Sequence, residues 1–184
     1  MDLKLVERAR SGDVDAFSAI VEGRLPRAFQ VASLIVRDEA LAADAVQEAM
    51  LAAWRDLPTL RDPGRFDAWF NRILVRSCQR AAAGRRATAV VELLVDLDFV
   101  EQREGAMDVV VRDQLERGFE RLPVDQRAVV VLRHYLGLSI EETAAALGIP
   151  TGTVLSRVNR GLAALRAALE ADERMPSIAS EATR

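Results

Sequence analysis

The sequence predicts an all-α fold of two small helical domains joined by a linker, the C-terminal domain being a helix-turn-helix. Half of the 184 residues are apolar but only 5% are aromatic, and the frequent alanines and leucines favour helix over sheet. Apolar residues recur every three or four positions through most of the chain, as on one face of a helix. Prolines and glycines fall between these stretches, where they end helices.

The charge pattern divides the chain, although its net charge is only −3. Residues 61–86 hold seven arginines and two aspartates, whereas residues 92–108 hold six acids and one arginine. We therefore predict a helical domain over 1–86, an acidic linker over 87–106, a second domain over 107–171 and a disordered tail over 172–184. The linker acids either compete with DNA for the basic surfaces or only keep the linker solvated and extended.

Caps and breakers predict the helices of the first domain. Asp13 is expected to cap one helix, and Pro26 to bend or split it. Asp38 is expected to cap the next helix, which runs to about Arg55. A later helix carries an apolar stripe of Phe66, Trp69, Phe70, Ile73, Leu74 and Ser77. Within it, Trp69 is expected to be a core residue.

The second domain carries a helix-turn-helix pattern. A helix over 125–136, ended by Gly137, comes first. Ser139 and Glu142 then form a capping box that opens a short helix, expected from Glu141. Gly148 ends that helix, and Thr151 is expected to cap another that begins at the next residue. Helix, tight turn and helix in this order predict a DNA-binding module.

The last helix has two faces. The inward face is predicted to consist of Val154, Val158, Leu162, Leu165 and Leu169. The outward face near the N-terminus carries Thr153, Ser156, Arg157 and Arg160. A recognition helix presents its N-terminal residues to base edges in the major groove. The alternative is the solvated face of an ordinary helical bundle.

Two further surfaces are candidates in the first domain. A basic face, suited to phosphate contacts without sequence preference, is formed by Arg65, Arg72, Arg76 and Arg80. An acidic face with one exposed leucine, suited to docking on a basic protein helix, is formed by Asp44, Gln47, Glu48 and Leu51. For the acidic face too, a solvated helix surface is the alternative.

These segments resemble the sigma factors of bacterial RNA polymerase. The C-terminal pattern, including LGIPTGTV at 147–154, is similar to sigma region 4, which binds the promoter −35 element. Residues 44–55, DAVQEAMLAAWR, resemble region 2.2, which docks on the clamp helices of the polymerase beta-prime subunit. Residues 66–73, FDAWFNRI, are similar to regions 2.3 and 2.4, which open and read the −10 element. Without a long domain between the two regions, the chain resembles the compact extracytoplasmic-function (ECF) class.

The resemblance implies a sigma factor that directs core polymerase to specific promoters and is commonly held inactive by an anti-sigma factor. Its acidic face would dock on the beta-prime clamp helices, its basic face would bind −10 DNA, and its last helix would read the −35 element. Family members often have asparagine near the position of Arg76 and more polar residues in place of Ala81 to Ala83. These departures leave the −10 preference open.

Other function classes are less well supported. One histidine, one cysteine and one tyrosine, with no metal-ligand spacing and no glycine-rich phosphate loop, argue against an enzyme and predict no cofactor. A regulator that binds duplex DNA unaided, usually as a dimer, remains an alternative. A polymerase-binding regulator that has lost promoter reading is another. The lack of a long apolar run or a signal-peptide pattern predicts no membrane span and a cytoplasmic location.

Overall fold

The computed structural model describes residues 3–88 and 109–173, with side chains described at 3–85 and 114–170. The predictions for the acidic linker and the tail lie outside these residues. The helices are α1 (Leu3–Arg10), α2 (Val14–Glu22), α3 (Leu25–Val36), α4 (Glu39–Asp56), α5 (Phe66–Thr88), α6 (Val109–Arg121), α7 (Val124–Val130), α8 (Ile140–Leu147) and α9 (Thr151–Glu173). Every regular element in the described ranges is helical, which confirms the predicted fold class.

The helix ends of the first domain follow the predicted caps. The Asp13 carboxylate accepts a hydrogen bond from the Ala16 backbone N–H at 2.9 Å, and that bond, with the Arg8 guanidinium, lowers the pKa of Asp13. The carboxylate of Asp38 accepts from the Leu41 N–H at 2.9 Å. Pro26 lies in the first turn of α3, where its missing N–H leaves no helical bond unmade. The predicted split at this proline is therefore confirmed.

Helices α1–α5 form an N-terminal bundle in which α4 and α5 pack against each other and against α3. Its core includes the fully buried side chains of Ile35, Leu57, Phe66 and Leu74. Trp69 is half-buried against Phe66, with ring centroids 5.7 Å apart. The expectation that this tryptophan is a core residue is met only in part, since it packs against the buried cluster at its edge.

Helices α6–α9 form a C-terminal bundle in which α9 packs against α6, α7 and α8. Two glycines permit the closest contacts between α9 and the helices packed against it. A Cβ added at Gly161 of α9 would lie 3.0 Å from a methyl carbon of Val130, and one added at Gly118 of α6 would lie 3.0 Å from Leu165. At both positions a larger residue would push α9 away from its neighbours.

Several predicted bounds in the C-terminal bundle were wrong. The helix expected over 125–136 is α-helical only to Val130 and continues as a π-helical turn over Val131–Tyr135. The bond from the Leu136 N–H to the Val131 carbonyl, at 3.0 Å, widens this turn by one residue. Thr151 is the first residue of α9 and not the residue before it. The predicted domain ends differ as well: α5 and α9 each extend two residues beyond them, to Thr88 and Glu173.

The two bundles pack against each other. Helix α5 contacts α8, and α3 contacts α7 and the π-helical turn, so one apolar core continues from the first bundle into the second. Arg127 of α7 is buried at this junction and donates from Nε to the carbonyl oxygen of Ile35 at 2.7 Å. None of the helices in the described ranges is long and apolar enough to cross a bilayer.

Candidate nucleic-acid and protein interfaces

Helices α8 and α9 and the turn between them have helix-turn-helix geometry. Ser139 and Glu142 form the predicted capping box: the Ser139 hydroxyl accepts from the Glu142 N–H at 3.0 Å, and the Glu142 carboxylate accepts from the Ser139 N–H at 2.7 Å. Gly148 ends α8 in the left-handed conformation, with φ of 68°, and its N–H bonds the Ala144 carbonyl at 2.8 Å. The turn therefore places α9 at a fixed angle to α8.

The outward face of α9 differs by a small rotation from the predicted one. Ser156 and Arg160 are exposed as expected, but Thr153 and Arg157 are half-buried. The Arg157 guanidinium Nη2 lies 3.1 Å from Oδ2 of Asp125 on α7, so this arginine bridges α9 to its own bundle. The Arg160 guanidinium Nε donates to the Ser156 carbonyl at 3.2 Å, along the exposed side of the helix.

Sequence reasoning missed two exposed residues on this face. Leu155 is 49% exposed and Asn159 is also exposed, and they lie beside Ser156 and Arg160 on successive turns of α9. Projecting α9 at 100° per residue from its buried valines would have placed Asn159 outward and Leu155 at the flank of the buried face. Asparagine can pair with both the N6 and N7 positions of adenine, and leucine can contact a thymine methyl group.

The predicted inward stripe of α9 was wrong at one position. Leu162 is 37% exposed, while the neighbouring Gly161 is buried against Val130. Helix α7 approaches α9 most closely at Gly161. The glycine therefore faces α7, and the next residue, Leu162, faces solvent. Val154, Val158 and Leu165 are buried as predicted, and Leu169 is half-buried.

The basic face of α5 lies beside both neighbouring surfaces. Arg76 and Arg80 are exposed and Arg72 is half-buried, and Arg65, also exposed, lies in the 3-10 turn just before α5. A guanidinium nitrogen of Arg76 lies 3.5 Å from the position that a Cβ on Gly148 would take, so this arginine lies beside the helix-turn-helix turn. Arg80 Nη2 pairs with Oε1 of Glu48 at 3.0 Å.

That last ion pair joins two surfaces that the sequence treated as separate. Glu48 belongs to the acidic face of α4, where Asp44, Gln47 and Leu51 are likewise exposed, Leu51 by 64%. With both side chains at least half exposed, the Glu48–Arg80 pair contributes little to folding stability. Its effect is to neutralise one charge on each surface.

An apolar groove of about 570 Å³ lies between α3 and α4, beside the acidic face. Its lining residues are Leu25, Pro26, Phe29, Ala43, Val46, Gln47, Met50 and Leu51. Two of them, Gln47 and Leu51, also belong to the acidic face. An apolar groove edged by carboxylates suits an amphipathic helix that carries basic residues around an apolar anchor.

The groups that could support catalysis are dispersed. Cys78 is buried, and burial raises the pKa of its thiol to about 12. His134 is exposed at the π-helical turn. No three histidine, cysteine or acidic side chains gather into a metal site in the part of the chain that the structure describes.

Comparison with known proteins agrees with this layout. The family model described as Sigma-70 region 2 matches residues 20–88, and that described as Sigma-70, region 4 matches residues 112–165. The chain is similar to the RNA polymerase sigma-H factor of Pseudomonas aeruginosa, with 33% identity over 92% of this chain and 94% of that protein. It is also similar to the ECF RNA polymerase sigma-E factor of Escherichia coli K12, with 34% identity over 89% and 92%.

A solved structure supports the same assignment. The structure of CnrH in complex with the cytosolic domain of CnrY matches with a TM-score of 0.65 and 30% identity, covering 93% of this chain and 98% of that one. Both matched regions occur here in the same order as in the family, on helices whose faces are already described. This chain therefore belongs to the sigma-70 family and is a sigma factor of the ECF class.

Proposed function

We propose that the chain directs core RNA polymerase to promoters through three surfaces, divided between two domains at 1–86 and 107–171. The acidic face of α4 docks on the beta-prime clamp helices. The basic face of α5 holds the −10 element, and the outward face of α9 reads the −35 element. Initiation needs no catalytic group from this chain, and we place its action in the cytoplasm, with the polymerase.

The docking proposal rests on one observation: the apolar groove and the exposed acidic side chains lie next to each other on α4. The exposed Leu51 borders the apolar groove, and Glu48 and Asp44 lie within one or two helical turns of it. An interface of this kind combines an apolar centre, which supplies affinity, with rim charges that orient the partner helix. The clamp helices would replace Arg80 as the partner of Glu48.

Release of Arg80 connects docking with DNA binding. In the free chain, the guanidinium of Arg80 is engaged by Glu48 and the Ser77 hydroxyl. Once Glu48 binds polymerase, Arg80 gains freedom to contact a phosphate on the neighbouring DNA strand. Polymerase binding and −10 binding would then assist each other without any change of fold.

For the −35 element, we propose that the base-reading residues are Leu155, Ser156, Asn159 and Arg160, because they are the exposed side chains on one face of α9. Arg157 and Thr153, which the sequence also favours, become supporting residues. Arg157 already pairs with Asp125, and Thr153 accepts a bond from the Ser156 hydroxyl at 3.0 Å through its carbonyl. Both residues would hold the recognition helix in position, so that the neighbouring side chains of α9 can reach the bases.

The partner set extends to an anti-sigma protein. CnrH, the relative solved at 30% identity, is bound to a domain of another protein, CnrY. A protein that covers the α3–α4 groove here would compete with the clamp helices for the same apolar surface. Such a partner would keep the chain from polymerase without touching the DNA-reading face of α9.

The experiment that tests the assignment of α9 compares Asn159→Ala with Arg157→Ala in holoenzyme, on a library of promoters randomised at the −35 element. Asn159→Ala should lose about 1–3 kcal/mol of binding and relax preference at one position. Arg157→Ala should weaken all promoters alike, because it removes support and no base contact. The reverse pattern would return base reading to Arg157.

A further inference from the structure

We propose that Arg10 of α1 is a positioning residue for promoter binding. It holds the loop between α4 and α5, residues 57–65, so that Arg61 makes a phosphate contact beyond those of the basic face. The guanidinium Nη1 of Arg10 donates to the carbonyl oxygen of Leu60 at 3.3 Å, across 50 positions of sequence. The inference rests on the proposed function, because it extends the DNA-binding surface of the first domain.

The loop has a defined shape because two short 3-10 turns form its ends, Leu57–Thr59 and Pro63–Arg65. The second turn is capped from within the loop, since the carboxylate of Asp62 accepts a hydrogen bond from the Gly64 N–H at 2.9 Å. Between the two turns the backbone of residues 60–62 is not part of a helix. A contact from outside the loop therefore has most effect on this stretch.

Leu60 is anchored through both its side chain and its backbone. Its side chain is 6% exposed, and together with the fully buried Leu57 it fixes the loop to the core. Its carbonyl lies past the end of the first turn, and the donor that it needs comes from Arg10. Helix α1 packs against both 3-10 turns and Arg10 is its last residue, so the guanidinium reaches the stretch between them.

The hydrogen bond acts on Arg61 through one rigid peptide group. The Leu60 carbonyl and the Arg61 N–H belong to the same planar unit, which does not twist about its central bond. Holding the carbonyl oxygen therefore restricts the orientation of the whole unit, and with it the position of the Arg61 Cα. In this way a side chain of α1 sets the place from which the Arg61 side chain extends.

Arg61 is suited to a phosphate contact by its exposure and its charge. The side chain is exposed and has no ion-pair partner in the described parts of the chain. The nearest acids in the sequence are engaged elsewhere, since Asp62 caps the following turn and Asp56 pairs with Arg55 at 2.9 Å. Arg65, the first arginine of the basic face, ends the same loop. Arg61 therefore adds one positive side chain to that face.

The position of Arg61 affects affinity because an arginine on a loose loop loses more conformational freedom on binding than one on a fixed loop. Arg10 itself is half-buried and acts through the loop backbone. A phosphate contact carries no sequence information. Loss of either arginine should therefore weaken binding to all promoters alike.

The test is a double-variant cycle on holoenzyme bound to a promoter fragment, with Kd measured across salt concentrations. Arg61→Ala should weaken binding by about three- to tenfold. It should also lower the slope of log Kd against log salt concentration by about 0.7–0.9, as for one phosphate contact. Arg10→Met should cause most of the same loss, and adding Arg61→Ala to it should weaken binding little further. The matched control is Arg8→Met, which removes the same charge from the opposite side of α1 and should leave Kd unchanged.

Additive losses in the double variant would overturn the proposal, because Arg10 would then act independently of Arg61. An unchanged Kd for either single variant in a folded protein would overturn it as well. Arg76→Ala separates this outcome from failure of the proposed function. A loss with Arg76→Ala but none with Arg61→Ala removes only the loop contact, whereas no loss with either variant removes the basic face and the proposed function with it.

Two further variants at position 10 separate positioning from a change in folding. Arg10→Lys keeps a charged donor on a long side chain and should retain most of the promoter affinity. A loss equal to that of Arg10→Met would mean that the donor does not matter, and would contradict the proposal. If Arg10→Met loses its native circular dichroism, Arg10→Gln replaces it in the cycle, because its shorter side chain stays hydrated and does not reach the loop. The same comparison of additive and non-additive losses then decides.

Discussion

Reversing the charge of Glu48 tests the docking surface, because the substitution should change folding stability only slightly and polymerase affinity strongly. The carboxylate lies 3.0 Å from the Arg80 guanidinium, with side chains 50% and 61% exposed. Such a surface pair contributes about 0–1 kcal/mol to stability. Glu48→Arg should therefore lower the free energy of unfolding by no more than about that amount, even with two arginines side by side.

The effect on polymerase binding should be larger. Reversal of a charge that becomes buried in an interface costs about 2–5 kcal/mol, or from about 30-fold to a few thousandfold in Kd. The measurement is the Kd for core polymerase by fluorescence anisotropy, beside chemical denaturation of the free chain. Glu39→Arg is the matched control, since it lies on the same helix nine residues away, on the opposite side.

A double variant separates the internal pair from docking. Glu48→Arg with Arg80→Glu restores an ion pair of reversed polarity, so the stability lost by either change alone should return. Core affinity should stay low, because the polymerase still meets an arginine at position 48. If core affinity returns with the pair, Glu48 acts only through Arg80 and the acidic face is not the docking site.

Other perturbations have expected outcomes of their own. Ser139→Ala removes one half of the capping box and should lower the free energy of unfolding by about 0.5–2 kcal/mol in chemical denaturation, whereas Ser139→Asp should retain most of it. Leu74→Ala empties a fully buried site between helices and should cost about 2–5 kcal/mol in the same assay; a loss well below 1 kcal/mol would contradict the packing. Arg80→Ala in holoenzyme should weaken binding to all promoters alike and reduce the slope of log Kd against log salt concentration by about one. A sequence-selective effect would instead make Arg80 a base reader.

Local features of this molecule could be read from its sequence. Asp13, Asp38 and the Ser139–Glu142 box cap helices through bonds that span three residues, so their residue types and spacing are sufficient signals. The turn at Gly148 is likewise local, because only its own backbone conformation requires glycine. The four exposed residues of the acidic face follow from helical periodicity on α4.

Features that depend on distant residues could not be read in this way. Asp125 is 32 positions before Arg157, and nothing near either residue indicates that they pair. The exposure of Leu162 follows from the close approach of Val130 to Gly161, which no periodicity of α9 contains. In the sequence, Arg127 is simply one basic residue of α7, and its bond to the end of α3 becomes visible only in the folded structure. Tertiary packing decides all three.

Reconstituted transcription tests the central claim most directly. The purified chain would be combined with core RNA polymerase on a genomic DNA library, with start sites mapped by sequencing the transcripts. The account predicts a discrete set of start sites that share −10 and −35 elements and that disappear with Glu48→Arg. Start sites that are the same with and without the chain, despite native folding and measurable core binding, would contradict it.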